Sequence, residues 1–323
     1  MKYINFLKGI IFGFVIGYFI FTLAVVFQLG VKTSGTIWRS ELYELKSNLA
    51  LSIKSPKLVI IGGSSARYGI SCKIIQEQTG KSCFNGGTVA DMSADYNLNL
   101  SRKWLNPGDT ALIALEYHYY HNNSTDDANV INYAMGHDID YLISLDFKRK
   151  VQLLNSISLQ RVKEGILAKF NPPLVVKKNF QEIHNEYGDI IDNREANMTK
   201  KLLKHQETLS PLNGAETWDS INPNNQDLKS IVKFIDWCHK NNIKVLATWP
   251  NTTYFDIYKQ EKQQIFLRSI RKFYQQNNVP VIGKPEDVMY DKSMFYDSAY
   301  HLHDRGMKIR TLQLIKSIQP YLE

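Results

Sequence analysis

Lys57-Leu58-Val59-Ile60-Ile61-Gly62-Gly63-Ser64-Ser65-Ala66-Arg67-Tyr68-Gly69-Ile70 is the stretch from which the fold can be read. Its apolar run, residues 58–61, predicts a buried parallel strand, because a strand covered on both faces is hydrophobic without alternation. Two glycines and two serines follow, then a helical pattern over residues 71–78 with Ser71 as its N-cap. Strand, tight glycine turn, hydroxyl and helix can hold a nucleophile at the carboxyl end of a strand, where open α/β sheets place their chemistry. The same residues also satisfy a plain βα turn. A P-loop is excluded, because no Gly-Lys-Ser/Thr follows at the right spacing. A dinucleotide fingerprint is excluded because its third glycine is misplaced.

On the amino-terminal side, residues 9–30 are uncharged and mostly apolar, and they reach the roughly 20 residues that span a bilayer. Lys2 and Lys8 lie before this run, and no small-x-small cleavage pattern stands before Val31. Residues 1–30 therefore read as an uncleaved signal anchor. Lys32, Arg39 and Lys46 on the other flank nearly balance the basic amino end. A short basic terminus before one span and a long domain puts the N-terminus in the cytoplasm and the bulk of the chain in the periplasm or outside the cell. Residues 31–56, with scattered apolar positions such as Ile37, Leu42 and Leu49, read as a partly helical tether.

Toward the carboxyl end, strands are predicted at residues 82–85, 110–115, 243–248 and 279–282. Helical spacing covers residues 91–105, 227–239, 258–276 and 304–318. Alternating strands and helices predict an α/β domain over residues 57–323, with a parallel sheet and right-handed crossovers. Residues of about 121–225 interrupt the pattern and read as a mostly helical insertion, where substrate specificity often resides.

Composition narrows the function. The net charge of +8 is spread over 323 residues, with Lys and Glu interleaved, which argues against nucleic acid as a partner. Cys72, Cys83 and Cys238 make no metal pattern, and neither a metal nor a cofactor is expected. Cys72 and Cys83 form a disulfide if the domain is outside the cytoplasm, or remain buried thiols.

A serine at the first strand end and a histidine before the last helix can meet on the carboxyl rim of such a sheet. Serine attack needs a base, and the base needs an orienting group. Asp297 shares a loop with His301 and can fix its tautomer. Gly63, Ser64 and Gly87 can offer backbone N–H groups to an oxyanion. Arg67 reads as a solvated residue near a helix start, His303 as a residue that opens a helix, and His118, Tyr119 and Tyr120 as packing residues or a sugar-facing surface.

This constellation resembles the SGNH (GDSL-like) hydrolase superfamily across most of residues 57–318, the insertion excepted. The resemblance implies a three-layer α/β/α, flavodoxin-like fold. Gly62-Gly63-Ser64 is similar to the first block, which makes Ser64 the nucleophile, with Ser65 as the alternative. Asn85-Gly86-Gly87 is similar to the second, with Gly87 as oxyanion donor. Asp297 to His301 is similar to the last, carrying acid and base. Two departures stand out: Glu116-Tyr117 occupies the place of the third-block Asn, and three residues rather than two separate Asp297 from His301. With a membrane anchor in front, the chain is similar to polysaccharide O-acetyltransferases of the alginate type and to proteins of teichoic acid D-alanylation. That likeness implies acyl transfer to, or removal from, a cell-surface polysaccharide, with a membrane-bound O-acyltransferase as partner. A catalytically silent binding or assembly subunit of the same fold is the alternative.

Overall fold

The computed structural model describes residues 2–121, 127–171, 182–210 and 220–322, and it divides into two compact units. Residues 1–41 with 126–179 form the smaller unit, and residues 42–125 with 180–323 the larger. The insertion expected over about 121–225 is thus split between them, and its residues 122–126, 172–181 and 211–219 lie outside the described residues.

The chain opens with α1 (Lys2–Phe27), which is long and apolar enough to cross a membrane and exposes nearly all its side chains. Next comes α2 (Ile37–Ser52), in the stretch expected to be a tether. Its Leu42, Tyr43, Lys46 and Ala50 are buried, so this helix is built into the larger unit from Leu42 onward.

The sheet then begins. Strand β1 (Leu58–Ile61) is buried along its whole length, as its unbroken apolar run requires. After β1 the chain is already helical at Ser64: α3 (Ser64–Gly69) stops at the extended Ile70, and α4 (Cys72–Thr79) restarts with Ser71 Oγ accepting from Ile74 N. The expectation of one helix starting at Ser71 missed α3. There follow β2 (Cys83–Asn85), α5 (Ala94–Arg102), β3 (Thr110–Ile113) and α6 (His118–His121).

The smaller unit takes α7 (Asp127–His137), α8 (Ile139–Ser144), α9 (Phe147–Asn155) and α10 (Leu159–Phe170). Arg149 clasps Asp127 through two hydrogen bonds of 2.7 and 2.6 Å, tying α9 to α7. The larger unit resumes with α11 (Lys200–Glu207), α12 (Gln226–Lys240), β4 (Lys244–Thr248), β5 (Thr252–Thr253), α13 (Glu261–Gln276), β6 (Val281–Ile282), β7 (Met289–Tyr290) and α14 (Asp304–Ile318).

Five strands pair in parallel in the order β2-β1-β3-β4-β6, with Leu58 opposite both Cys83 and Thr110. Alternate residues Leu58 and Ile60 of β1, Leu112 of β3 with Ala114 just beyond it, and Leu246 of β4 pack with Ile75 of α4 and Leu314 and Ile318 of α14 in one buried cluster. Cys72 and Cys83 are joined by a disulfide, which links the start of α4 to the start of β2, and Cys238 is a buried free thiol. Because all five strands run the same way, their carboxyl ends share one rim. Ser64, Gly87, Glu116 and Asn251 all follow strand ends on it.

Candidate active site

The start of α3 is shaped from a distance. Glu116, just past β3 and buried, accepts hydrogen bonds from Gly63 N (3.2 Å) and Ser65 N (2.8 Å). Its carboxylate thereby serves amides at the opening of the helix that would otherwise be unpaired. Ser64 is half-exposed at the first helical position, whereas Ser65 is wholly buried with its Oγ unpartnered in the interior. Of the two serines, only Ser64 keeps any solvent exposure.

Asp297 and His301 come together as expected: Nδ1 of the imidazole lies 2.6 Å from Asp297 Oδ1, and the ring is only 18% exposed. Burial works to raise the Asp297 carboxyl, but the hydrogen bond and charge of His301, with the Arg67 charge nearby, hold it below the ordinary carboxylate range. The i, i+4 spacing of Asp297 and His301 is therefore sterically compatible with the pair.

His301 is tied to the serine helix through Tyr68. The two rings stack at 4.1 Å and 9°. Tyr68 lies four residues beyond Ser64 in α3, one turn along the same face, so the stack sets the imidazole against the helix that Ser64 opens. No hydrogen bond joins Ser64 Oγ to His301 Nε2. Catalytic contacts of this kind are often loose without substrate.

Around this group lies a buried charge cluster. Arg67, expected to be solvated, is 4% exposed. Its Nη1 sits 2.9 Å from Glu182 Oε2, a charge contact rather than an aligned hydrogen bond, and Glu182 also accepts from the Tyr68 hydroxyl at 3.2 Å. Behind it, Lys46 of α2 is wholly buried and donates to Asn85 O (2.8 Å) and Gly188 O (2.6 Å). Burial, then the Arg67 charge, pull its pKa down to about 7 against Asp189 and Glu182.

The expected second block is held tightly. Asn85 Oδ1 accepts from Gly87 N (2.9 Å), and Asn85 Nδ2 donates to Ile70 O (2.7 Å). Gly87 abuts the backbone of α3: a Cβ there would lie 2.7 Å from Arg67 Cα. The loop thus lies against the serine helix, and only glycine fits. Both glycine amides expected to serve an oxyanion, Gly63 and Gly87, already donate to side chains. The amide of Ser64 is the remaining candidate of the three.

Other expected residues resolve into structure. Tyr117 is wholly buried, edge-on to Phe266 at 6.3 Å, with burial driving its hydroxyl pKa well up. Tyr119 donates to Ala90 O and Met92 O, and Tyr120 OH meets Tyr274 OH at 2.8 Å, so both pack rather than face a sugar. His303 N-caps α14, its Nδ1 accepting from Gly306 N at 3.3 Å. Among the described residues no cluster of three His, Cys, Asp or Glu side chains is placed to hold a metal ion. Sequence reading passed over Tyr68, Glu182 and Lys46. Only Tyr68 carried a signal, its i+4 spacing from Ser64. No protein-family model matches the chain, and comparison with curated proteins finds no match.

Proposed function

We propose that the larger unit is a three-layer α/β/α, flavodoxin-like domain of SGNH type. We further propose that the protein is a membrane-anchored serine acyltransferase or esterase acting on a cell-surface polysaccharide. The strand order 2-1-3-4-6, which becomes 2-1-3-4-5 once the outlying β5 is set aside, supports the fold. The observation that carries the activity is His301 clasped between Asp297 and the ring of Tyr68, a residue one helical turn beyond the half-exposed Ser64 in α3. The apolar α1 and the Cys72–Cys83 disulfide favour a domain on the oxidising side of a membrane.

In this reading His301 Nε2 takes the Ser64 proton as Oγ attacks the acyl carbonyl. The imidazolium is stabilised by Asp297 and then hands the proton to the leaving oxygen. Water or a sugar hydroxyl next attacks the acyl-serine, giving its proton to His301, which returns one to Ser64. The Ser64 amide is the donor for the oxyanion at each stage. A membrane-bound O-acyltransferase would supply the acyl group in the transfer version.

One observation favours a second reading, a silent assembly subunit of a polysaccharide-modifying complex. The Glu116 carboxylate and the Asn85 side chain occupy the Gly63 and Gly87 amides that an oxyanion would use. A serine-directed fluorophosphonate separates the two. Label mapped to Ser64 and lost in His301→Ala supports the enzyme. A folded protein that takes no label supports the silent subunit.

A further inference from the structure

Helix α10 of the smaller unit is built inside out. At about 100° per residue, Leu159, Val162, Lys163, Ile166, Leu167 and Phe170 fall within one sector of about 140°. Arg161, Gly165 and Ala168 lie on the opposite side. In a helix docked on a soluble core the apolar stripe faces inward. Here the buried positions are Arg161 and Gly165, while Leu159 is 78%, Leu167 53% and Phe170 72% exposed.

The polar side is fixed to the end of α1. Arg161 Nη1 donates to Gln28 Oε1 (2.8 Å) and Nη2 to Val31 O (3.2 Å), and Lys169 Nζ donates to Phe27 O. A side chain on Gly165 would collide with the Gln28 amide, which lies directly against the helix backbone there. Arg161 and Lys169 are about 12 Å apart along α10, yet both reach residues 27–31, where the apolar helix ends. The bonds from both ends of α10 therefore converge where α1 ends. Two more large apolar side chains of this unit are bare, Ile143 (66%) and Phe147 (82%), and Lys148, Lys150 and Lys163 stand exposed among them.

We infer that α10 is an interfacial membrane helix, with its Leu159–Phe170 stripe immersed in the surface of the bilayer that α1 crosses. Its position at the end of the apolar segment selects lipid as the occupant. Apolar residues beside lysines suit the boundary between acyl chains and anionic headgroups.

The test uses the full chain in nanodiscs of phosphatidylethanolamine and phosphatidylglycerol. Single spin labels are placed by Leu159→Cys, Gln160→Cys, Glu164→Cys, Ile166→Cys and Phe170→Cys, with Ile16→Cys in α1 as a check on the span. Cys238 is buried and the other two cysteines are bonded, so they take no label. At 159, 166 and 170 oxygen collision should exceed collision with a water-soluble nickel chelate, and at 160 and 164 the order should reverse. Nickel exceeding oxygen at all five positions overturns the inference. So does a stripe reached by neither reagent, which would mean cover by a second copy of the chain. Nickel access at Ile16 as well would place the failure in the span itself.

Discussion

Lys46 gives a quantitative test of how the site is supported. A neutral amine has two N–H groups, and two carbonyls face this one, Asn85 O and Gly188 O. A third proton finds no such provision in a wholly buried place. Unfolded, the side chain holds its proton up to about 10.5; folded, it releases it near 7. Between those values the unfolded state binds more protons, so stability rises with pH. At about 1.36 kcal/mol per pH unit, the window is worth roughly 5 kcal/mol. The variant Lys46→Met abolishes the titration and strands both carbonyls, at about 1–3 kcal/mol each. Near pH 10 it should be less stable than the parent by about 2–6 kcal/mol. Near pH 6 the parent carries the buried charge, and the gap should close by about 4 kcal/mol. Urea unfolding of the detergent-solubilised protein, followed by tryptophan fluorescence at several pH values, reads this directly. A penalty for Lys46→Met that stays constant from about pH 6 to pH 10 would refute the reasoning.

Two further outcomes follow from the site. Asp297→Asn keeps the packing but offers His301 the wrong hydrogen-bond partner. Turnover of a simple acyl ester and the rate of Ser64 labelling should fall by about 10⁴-fold with the melting temperature little changed, and an unchanged rate would remove Asp297 from the mechanism. Gly87→Ala drives a methyl group into the Arg67 backbone and should cost about 1–3 kcal/mol in thermal unfolding, with Ser64 labelling slowed in parallel.

The parts legible in the sequence are those fixed by local pattern. The unbroken apolar run of β1 betrayed a strand buried on both faces, and the last helix was predicted with its observed bounds, 304–318. Ser71 announced itself as an N-cap, and Asp297 and His301 could be paired because they share one short loop before the last helix. What stayed hidden depends on distant residues. Helix α3 is six residues long with no apolar period, and its opening amides are served by Glu116, 51 residues beyond Ser65. Arg67 is buried because Glu182, contributed by the insertion, stands beside it. In α2 the buried face includes Lys46, and a charge on that face disguises the amphipathic pattern as a solvated tether.

The burial of α2 also decides where this protein can be cut. Leu42, Tyr43, Lys46 and Ala50 belong to the larger unit as much as the sheet does. A protease acting between residues 28 and 41 would cut the chain ahead of the sheet unit and leave that unit's internal bonds whole, although residues 126–179 would still join it to the smaller unit. A cut past Ala50 would strip away the amine that holds Asn85 and Gly188, and with it the support of the loop beside the serine. A version without α1 must therefore begin before Leu42; one that begins at the first strand lacks the prop under its own site.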